Sequence, residues 1–281
     1  MARGKHVANN IAVSLFWIAA GITVSALAAI LLYVIVRGIG IITPAFIFTW
    51  PHGVNAEGGI FPIIISTIYV TALSMLIAAP IAILAAIYLA EYARQGRVVK
   101  IIRFAADSLA SVPSIVMGLF GFAFFVEMMK LPLSMLAAAL ALSILMLPII
   151  MRTTEEAIRA VPRYIRWGSY GMGATRWQTV SRVVLPAATP RIITGLVLAM
   201  GRAIGETAVV FYTMGQAINL PVTPLDSGRS MPVHLYLLAV EGINMPAAYG
   251  TAFLLLALIL VFNFVARYIS KRSSRIKRQK G

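Results

Sequence analysis

Apolar residues run along this chain in long blocks rather than at a helical or strand period. Blocks at about 11–36, 61–90, 112–129, 133–151, 192–215 and 247–268 alternate with segments where Arg, Lys, Gly, Pro and Asn collect. A helix needs about 20 residues to cross a hydrocarbon layer of about 30 Å. Six such blocks, spread over the whole chain, predict an all-α polytopic membrane protein with six transmembrane helices. The opening "MARGKHVANN" resembles the start of a secretory signal, but the apolar run behind it continues to Val36 without a small-residue cleavage site. It reads as a retained first span. The second block is longer than a perpendicular helix requires and contains Pro80, which predicts tilt or a kink. The third, "SVPSIVMGLFGFAFFVEMMK", is short and glycine-rich with Pro113 near its start, which predicts a broken or tightly packed helix.

Basic residues orient these spans. Of the 24 Lys and Arg, twenty fall in 1–10, 94–103, 152–191 and 267–281, whereas only Arg37, Lys130 and Arg229 fall in the alternate connections. Positive residues near spans stay on the cytoplasmic side during insertion, so both termini are expected there. The same bias explains the formal net charge of +15 as a topology signal; no nucleic-acid partner is implied. The composition, 60% hydrophobic and 12% charged, excludes an ordinary soluble domain. The absence of cysteine removes disulfides and thiolate sites, and His6, His52 and His234 are too scattered for a metal cluster. His234 and Asp226 fall in an outer loop where no motif nominates a nucleophile, so no hydrolytic site is proposed. The outer loops 38–60, with Trp50, Pro51, His52 and Glu57, and 216–246 read as surface turns or partner contacts.

The connection 152–191 is too long for a tight turn and too short for a domain. Thr154 reads as an N-cap with Glu155 and Glu156 in a first turn, and Pro162 as the end of that helix. Beyond a glycine-containing turn, Trp177, Val180, Val183 and Val184 stand at helical spacing and predict an interfacial helix.

Two charges lie inside the fifth block, in "GRAIGETAVV". A charge at mid-bilayer costs about 2.5–3.5 kcal/mol on the insertion scale, so Arg202 is expected to face protein or water. On a continuous helix Arg202 and Glu206 are neighbours four residues apart, which allows a structural ion pair. The alternative is a substrate pathway, since a guanidinium fork suits the oxygens of an anion such as phosphate and Glu206 would hold Arg202 until the anion arrives. Thr207 either donates to the substrate or bonds back to its own helix. Gly201 and Gly205 form G-x-x-x-G, whose simplest use is close helix packing.

The stretch "GATRWQTVSRVVLPAATPRIITG" resembles the cytoplasmic loop signature of ABC importer permeases, Glu-Ala-Ala followed by Gly and a spaced Ile-x-Leu-Pro. Gly173 matches the glycine, Val183 stands for the isoleucine, and Leu185 and Pro186 match Leu-Pro; Trp167, Gly168 and Ser169 replace Glu-Ala-Ala. With "GGIFPIIISTIYVTALSMLIAAPIAILAAIYLAEYA" at 58–93, "SLASVPSIVMGLFGFAFF" at 108–125 and "GRAIGETA" at 201–208, the chain resembles the A-type permease subunits of bacterial phosphate ABC importers. The resemblance implies a type I ABC importer permease fold. It divides the chain into a first helix and outer loop (1–57), a transmembrane type-1 domain (58–268) whose cytoplasmic loop 152–191 couples to an ATPase, and a basic cytoplasmic tail (269–281). It further implies inorganic phosphate as substrate, translocated by alternating access across a bacterial inner membrane. The implied partners are a homologous C-type permease, two ATP-binding subunits, and a periplasmic or extracellular phosphate-binding protein. It implies no cofactor in this chain, with ATP and Mg held by the ATPase subunits. The chain has no G-x-x-x-x-G-K-[ST] phosphate loop, which agrees. Sulfate, molybdate or phosphonate permeases, and a secondary carrier, are the rival readings.

Overall fold

In a computed structural model, residues 2–52 and 57–278 are described, and side chains over 9–52 and 57–268. The element order is α1 (Ala2–Ile39), α2 (Pro44–Phe48), a two-residue hairpin of β1 (Pro51–His52) with β2 (Glu57–Gly58), α3 (Phe61–Ile87), α4 (Arg97–Ser111), α5 (Ser114–Gly121), α6 (Met135–Arg159), α7 (Arg163–Gly171), α8 (Arg176–Thr179), α9 (Leu185–Ile204), α10 (Ala208–Thr213), α11 (Met231–Val240) and α12 (Met245–Arg278). Wider π turns extend α3 through Tyr92 and α5 through Met128, and join α8 to α9.

Five helices are long and apolar enough to cross a membrane, at Asn9–Ile39, Phe61–Tyr92, Met135–Arg159, Arg176–Ile204 and Met245–Tyr268. Ser114–Met128 is a further apolar helix, bent by 100° from α4, and the two pass the length and hydropathy of a crossing only when taken together. The short, glycine-rich third block is therefore a broken element, with Pro113 at the break as its N-cap. Its glycines permit close approach. A Cβ on Gly118 would lie 2.8 Å from the Ala208 carbonyl oxygen on α10, and one on Gly121 2.8 Å from the Ala141 Cβ on α6.

The core lies between α3, α6 and α9. Ala78, Ala82 and Ala86 on α3, Met146 and Ile150 on α6, and Ala199 and Ala203 on α9 form one buried cluster, small residues letting the helices meet closely. Gly195 on α9 sits against Thr153 of α6 with no room for a side chain. By contrast, the apolar span of α1 has none of its residues buried. It meets the bundle near its end, where Gly38 lies against Tyr249 and Phe253 of α12 and the Tyr33 and Tyr249 hydroxyls are 3.2 Å apart.

Three local expectations change. Thr154 is no N-cap: α6 continues through it to Arg159, because no residue before Pro162 interrupts the backbone ladder, and Thr154 is buried in its interior. Pro162 does end that helix and becomes the N-cap of α7. The loop 216–246 is not all surface turn, since it contains α11, which buries His234 completely. Phe46 of α2 packs with Ile60, Met231, Leu238 and Ala247, so the first outer loop is a folded cap. The basic tail continues α12 as helix to Arg278; its side chains and residues 279–281 lie outside the described residues.

The contrast between two glycines on α9 is testable. Gly195→Val overpacks the α6–α9 contact, with an expected cost of about 1–3 kcal/mol and a lower melting temperature in detergent. Gly201→Ala, where a Cβ meets nothing within 4 Å, should melt at or above the wild-type temperature.

Candidate translocation pathway and coupling loop

The "GRAIGETA" stretch is a helix break. The last turn of α9 closes at Ile204, the amide of Glu206 donates to the Ala203 carbonyl at 3.2 Å, and α10 starts at Ala208 with Thr207 as its N-cap. Its depth follows from two registers. Gly195 is level with Thr153, where the apolar part of α6 gives way to charge, and the Ser134 amide at the far end of α6 donates to the Thr213 carbonyl of α10 at 3.0 Å. From Gly195 to Gly205 a helix rises about 15 Å, half of a hydrocarbon layer of about 30 Å. Non-helical backbone at that depth survives only where protein or a water-lined space meets it, and discontinuous helices are a recurrent way of building transporter sites.

The break changes the relation of the two charges. Arg202 and Glu206 do not form an ion pair, because the helix that would bring them together ends between them. Arg202 is exposed on the single chain, in the last turn of α9, where a cation complements the helix C-terminus; Glu206 is half-buried. The packing expected at Gly201 and Gly205 does not occur within the chain. Gly201 has open space around it, and Gly205 meets only its own backbone. Thr207 makes no side-chain cap bond and lines a groove of about 270 Å³ with Ile115, Ala208, Phe211, Tyr212 and Tyr236.

One residue escaped the sequence reading. Arg191, Thr194, Leu198 and Arg202 stand at i, i+3, i+7 and i+11 on α9 and are all exposed, whereas Ala188, Ile192, Gly195, Ala199 and Ala203 are buried on the opposite face. Arg191 thus shares a stripe with Arg202. The spacing was legible, but only burial shows which stripe is free.

At the basic end the loop 152–191 folds back onto the bundle. Arg166 on α7 reaches Glu91 at the end of α3, with Nη2 2.6 Å and Nε 3.1 Å from Oε1, and also donates to the carbonyls of Val161 (2.6 Å) and Ile158 (2.8 Å). Both charged side chains are largely buried. Arg176 donates to the Glu91 carbonyl and lies 5.0 Å from the centre of the Tyr92 ring. Glu155, at the end of α6, is buried between Arg103 at 2.7 Å and Arg159 at 2.8 Å. Sequence reasoning missed Arg103–Glu155 and Arg166–Glu91 because their members are 52 and 75 residues apart.

The loop-signature residues fall into three jobs. Gly173 ends α7 in the left-handed region (φ +81°), where its amide bonds to the Tyr170 carbonyl at 2.9 Å and Ala174 returns to Ser169 at 3.2 Å. Thr175 and Gln178 then cap α8 reciprocally. Val183 and Leu185 are half-buried beside the fully buried Val180 and Val184, which pack on Ile158 and Val161, and Pro186 sits in the first turn of α9. Trp177, expected on that apolar face, is instead exposed, together with Tyr164, Trp167 and Met172. Among them is Trp167, which replaces the signature glutamate.

The family model for the binding-protein-dependent transport system inner membrane component matches residues 78–275. The chain belongs to that family. The permease is 32% identical to the probable ABC transporter permease protein YqgI of Bacillus subtilis, over 94% of this chain and 96% of that protein. It is 33% identical to the phosphate transport system permease protein PstA 1 of Mycobacterium tuberculosis, over 97% and 91%. A solved bacterial alginate ABC transporter in complex with an alginate-pentasaccharide-bound periplasmic protein superposes with a TM-score of 0.65 at 17% identity, over 91% of this chain and 94% of that one. The fold is that of the type I ABC importer permeases. Permeases of this family work with ATPase subunits and a binding protein, and this chain is the membrane component rather than the ATPase.

The Glu91–Arg166 pair should anchor the loop. Arg166→Met strands a buried carboxylate, with an expected loss of about 3–5 kcal/mol, and adding Glu91→Gln should restore part of it. Thermal unfolding, with proteolysis between α6 and α8, measures both variants.

Proposed function

We propose that this permease carries inorganic phosphate across a bacterial inner membrane as one half of an ATP-driven importer working by alternating access. The observation that carries the reading is Arg202, an exposed guanidinium without an acidic partner among the described residues, one turn before a helix break at mid-membrane depth. In lipid that charge would cost about 2.5–3.5 kcal/mol, so the α9 stripe must be covered by protein or water. A pathway between this chain and a homologous C-type permease provides such a surface. A multiply charged oxyanion crossing it requires cations, and Arg191 and Arg202 stand three helical turns apart on that stripe.

The remaining roles follow from this arrangement. A binding protein delivers phosphate at the end of the bundle away from loop 152–191, with both termini on the loop's side. Two ATPase copies engage α7 and its exposed Tyr164, Trp167 and Met172, and the assembled complex hydrolyses ATP. Glu91 and Arg166 transmit the displacement of α7 to α3. Thr207, beside the break, offers a neutral hydroxyl to the anion. The similarity to a phosphate permease over nearly the whole chain supports phosphate over another oxyanion.

The test is ATP-dependent uptake of labelled phosphate into vesicles holding the assembled complex. Arg202→Ala should lower uptake at least about tenfold with the complex intact, and Arg202→Lys should retain more because it keeps the charge without the fork. Unchanged uptake in Arg202→Ala would remove this residue from the pathway. Wild-type transport of sulfate or molybdate in place of phosphate would reassign the substrate.

A further inference from the structure

The helix α4 is amphipathic, and its position identifies what its apolar side meets. Two ion pairs fasten it to α6: Arg103 to Glu155 at 2.7 Å and Asp107 to Arg152 at 2.8 Å. Both partners on α6 lie just beyond Met151, where an apolar run gives way to charge. This fixes α4 at the boundary between hydrocarbon and water. The 100° bend to Ser114–Met128 turns its axis nearly across the spanning direction, so α4 lies along the membrane surface.

Within that plane the faces are sorted. Val99 is buried against the bundle. Val98, Ile101, Ile102, Ala105 and Leu109 occur at i, i+3, i+4, i+7 and i+11, an apolar arc flanking that contact, and Lys100, Arg103 and Asp107 lie on the other flank. Val98 and Ile101 are 69% and 64% exposed, so no other part of the described chain covers the start of this arc, whereas Leu109 at its end packs against the core. Arg94 and Arg97 stand at the start of the helix and Lys100 on its other flank, all exposed and without an ion pair among the described residues. Apolar side chains at the hydrocarbon boundary beside uncompensated cations match the chemistry of a leaflet containing acidic phospholipid.

We propose that α4 is a binding element for anionic phospholipid, with its apolar arc in the acyl boundary and Arg94, Arg97 and Lys100 on the phosphate-bearing headgroups. Because Arg103 and Asp107 join the same helix to α6, bound lipid steadies the end of the bundle from which the coupling loop departs. The proposal does not depend on the transported substrate.

The chain has no cysteine, so single spin labels can be placed at Val98→Cys, Ile101→Cys and Lys100→Cys in the assembled complex. The complex is reconstituted in vesicles of phosphatidylcholine alone and of phosphatidylcholine with phosphatidylglycerol at about 3:1. Labels at 98 and 101 should collide with dissolved oxygen more than with a water-soluble nickel chelate, and the label at 100 should show the reverse. With unlabelled complex, the variant Arg94→Gln/Arg97→Gln/Lys100→Gln should retain about tenfold less phosphatidylglycerol through detergent extraction than wild type. Nickel access at both 98 and 101 would place α4 in water. Shielding from both reagents would mean a protein surface covers it. Equal phosphatidylglycerol retention by wild type and the triple variant would rule out the headgroup contact. Each of these three results overturns the proposal.

Discussion

Glu91 ties the membrane part of this protein to its loop. It closes the π turn at the end of α3, accepts Arg166 of α7 on its carboxylate, and gives its backbone carbonyl to Arg176 at the head of α8. The two short helices of the loop, α7 and α8, are thereby held on one turn of one spanning helix. Breaking a buried pair leaves a stranded charge, so the contact resists separation even where its net contribution to stability is small. The pair fastens α7 to the end of α3.

The second constraint is the bilayer's intolerance of open backbone. The helices α3, α6 and α12 run unbroken across their apolar lengths, and prolines at 80 and 148 are absorbed without ending α3 or α6. The fifth crossing departs from this by stopping at Ile204 and resuming at Ala208. That departure lies near mid-depth, beside an exposed Arg202 and the Thr207 groove. Local irregularity and charge coincide there, as expected of a functional segment whose sequence breaks the rules its neighbours obey.

At the basic end, the acidic side chains of α3, α4 and α6 are all taken up by arginines. Arg103, Glu155 and Arg159 form one buried-to-exposed chain, and Arg152 bridges Asp107 and Glu156. The loop also exposes aromatic side chains, with Trp167 facing outward where the related signature has a glutamate. The exposed surface of the loop therefore differs in chemistry from the signature, whereas Gly173, Leu185 and Pro186 act through conformation and packing.

The sequence by itself determined the class of protein and most of its spans, because the cost of putting polar groups in hydrocarbon imposes long apolar blocks and a one-sided distribution of Lys and Arg; the fifth span, expected at 192–215, instead runs Arg176–Ile204. It also revealed the broken third crossing through Pro113 and its glycines, and the turn at Gly173, since both depend on local backbone freedom. Only the tertiary structure decided that Arg202 and Glu206 are separated by a helix end, that Thr154 lies inside α6, that Gly195 rather than Gly201 is the close-packing glycine, and that Glu91 meets Arg166. Those outcomes depend on which helix faces meet, and such contacts join residues up to 75 positions apart with no local pattern to announce them.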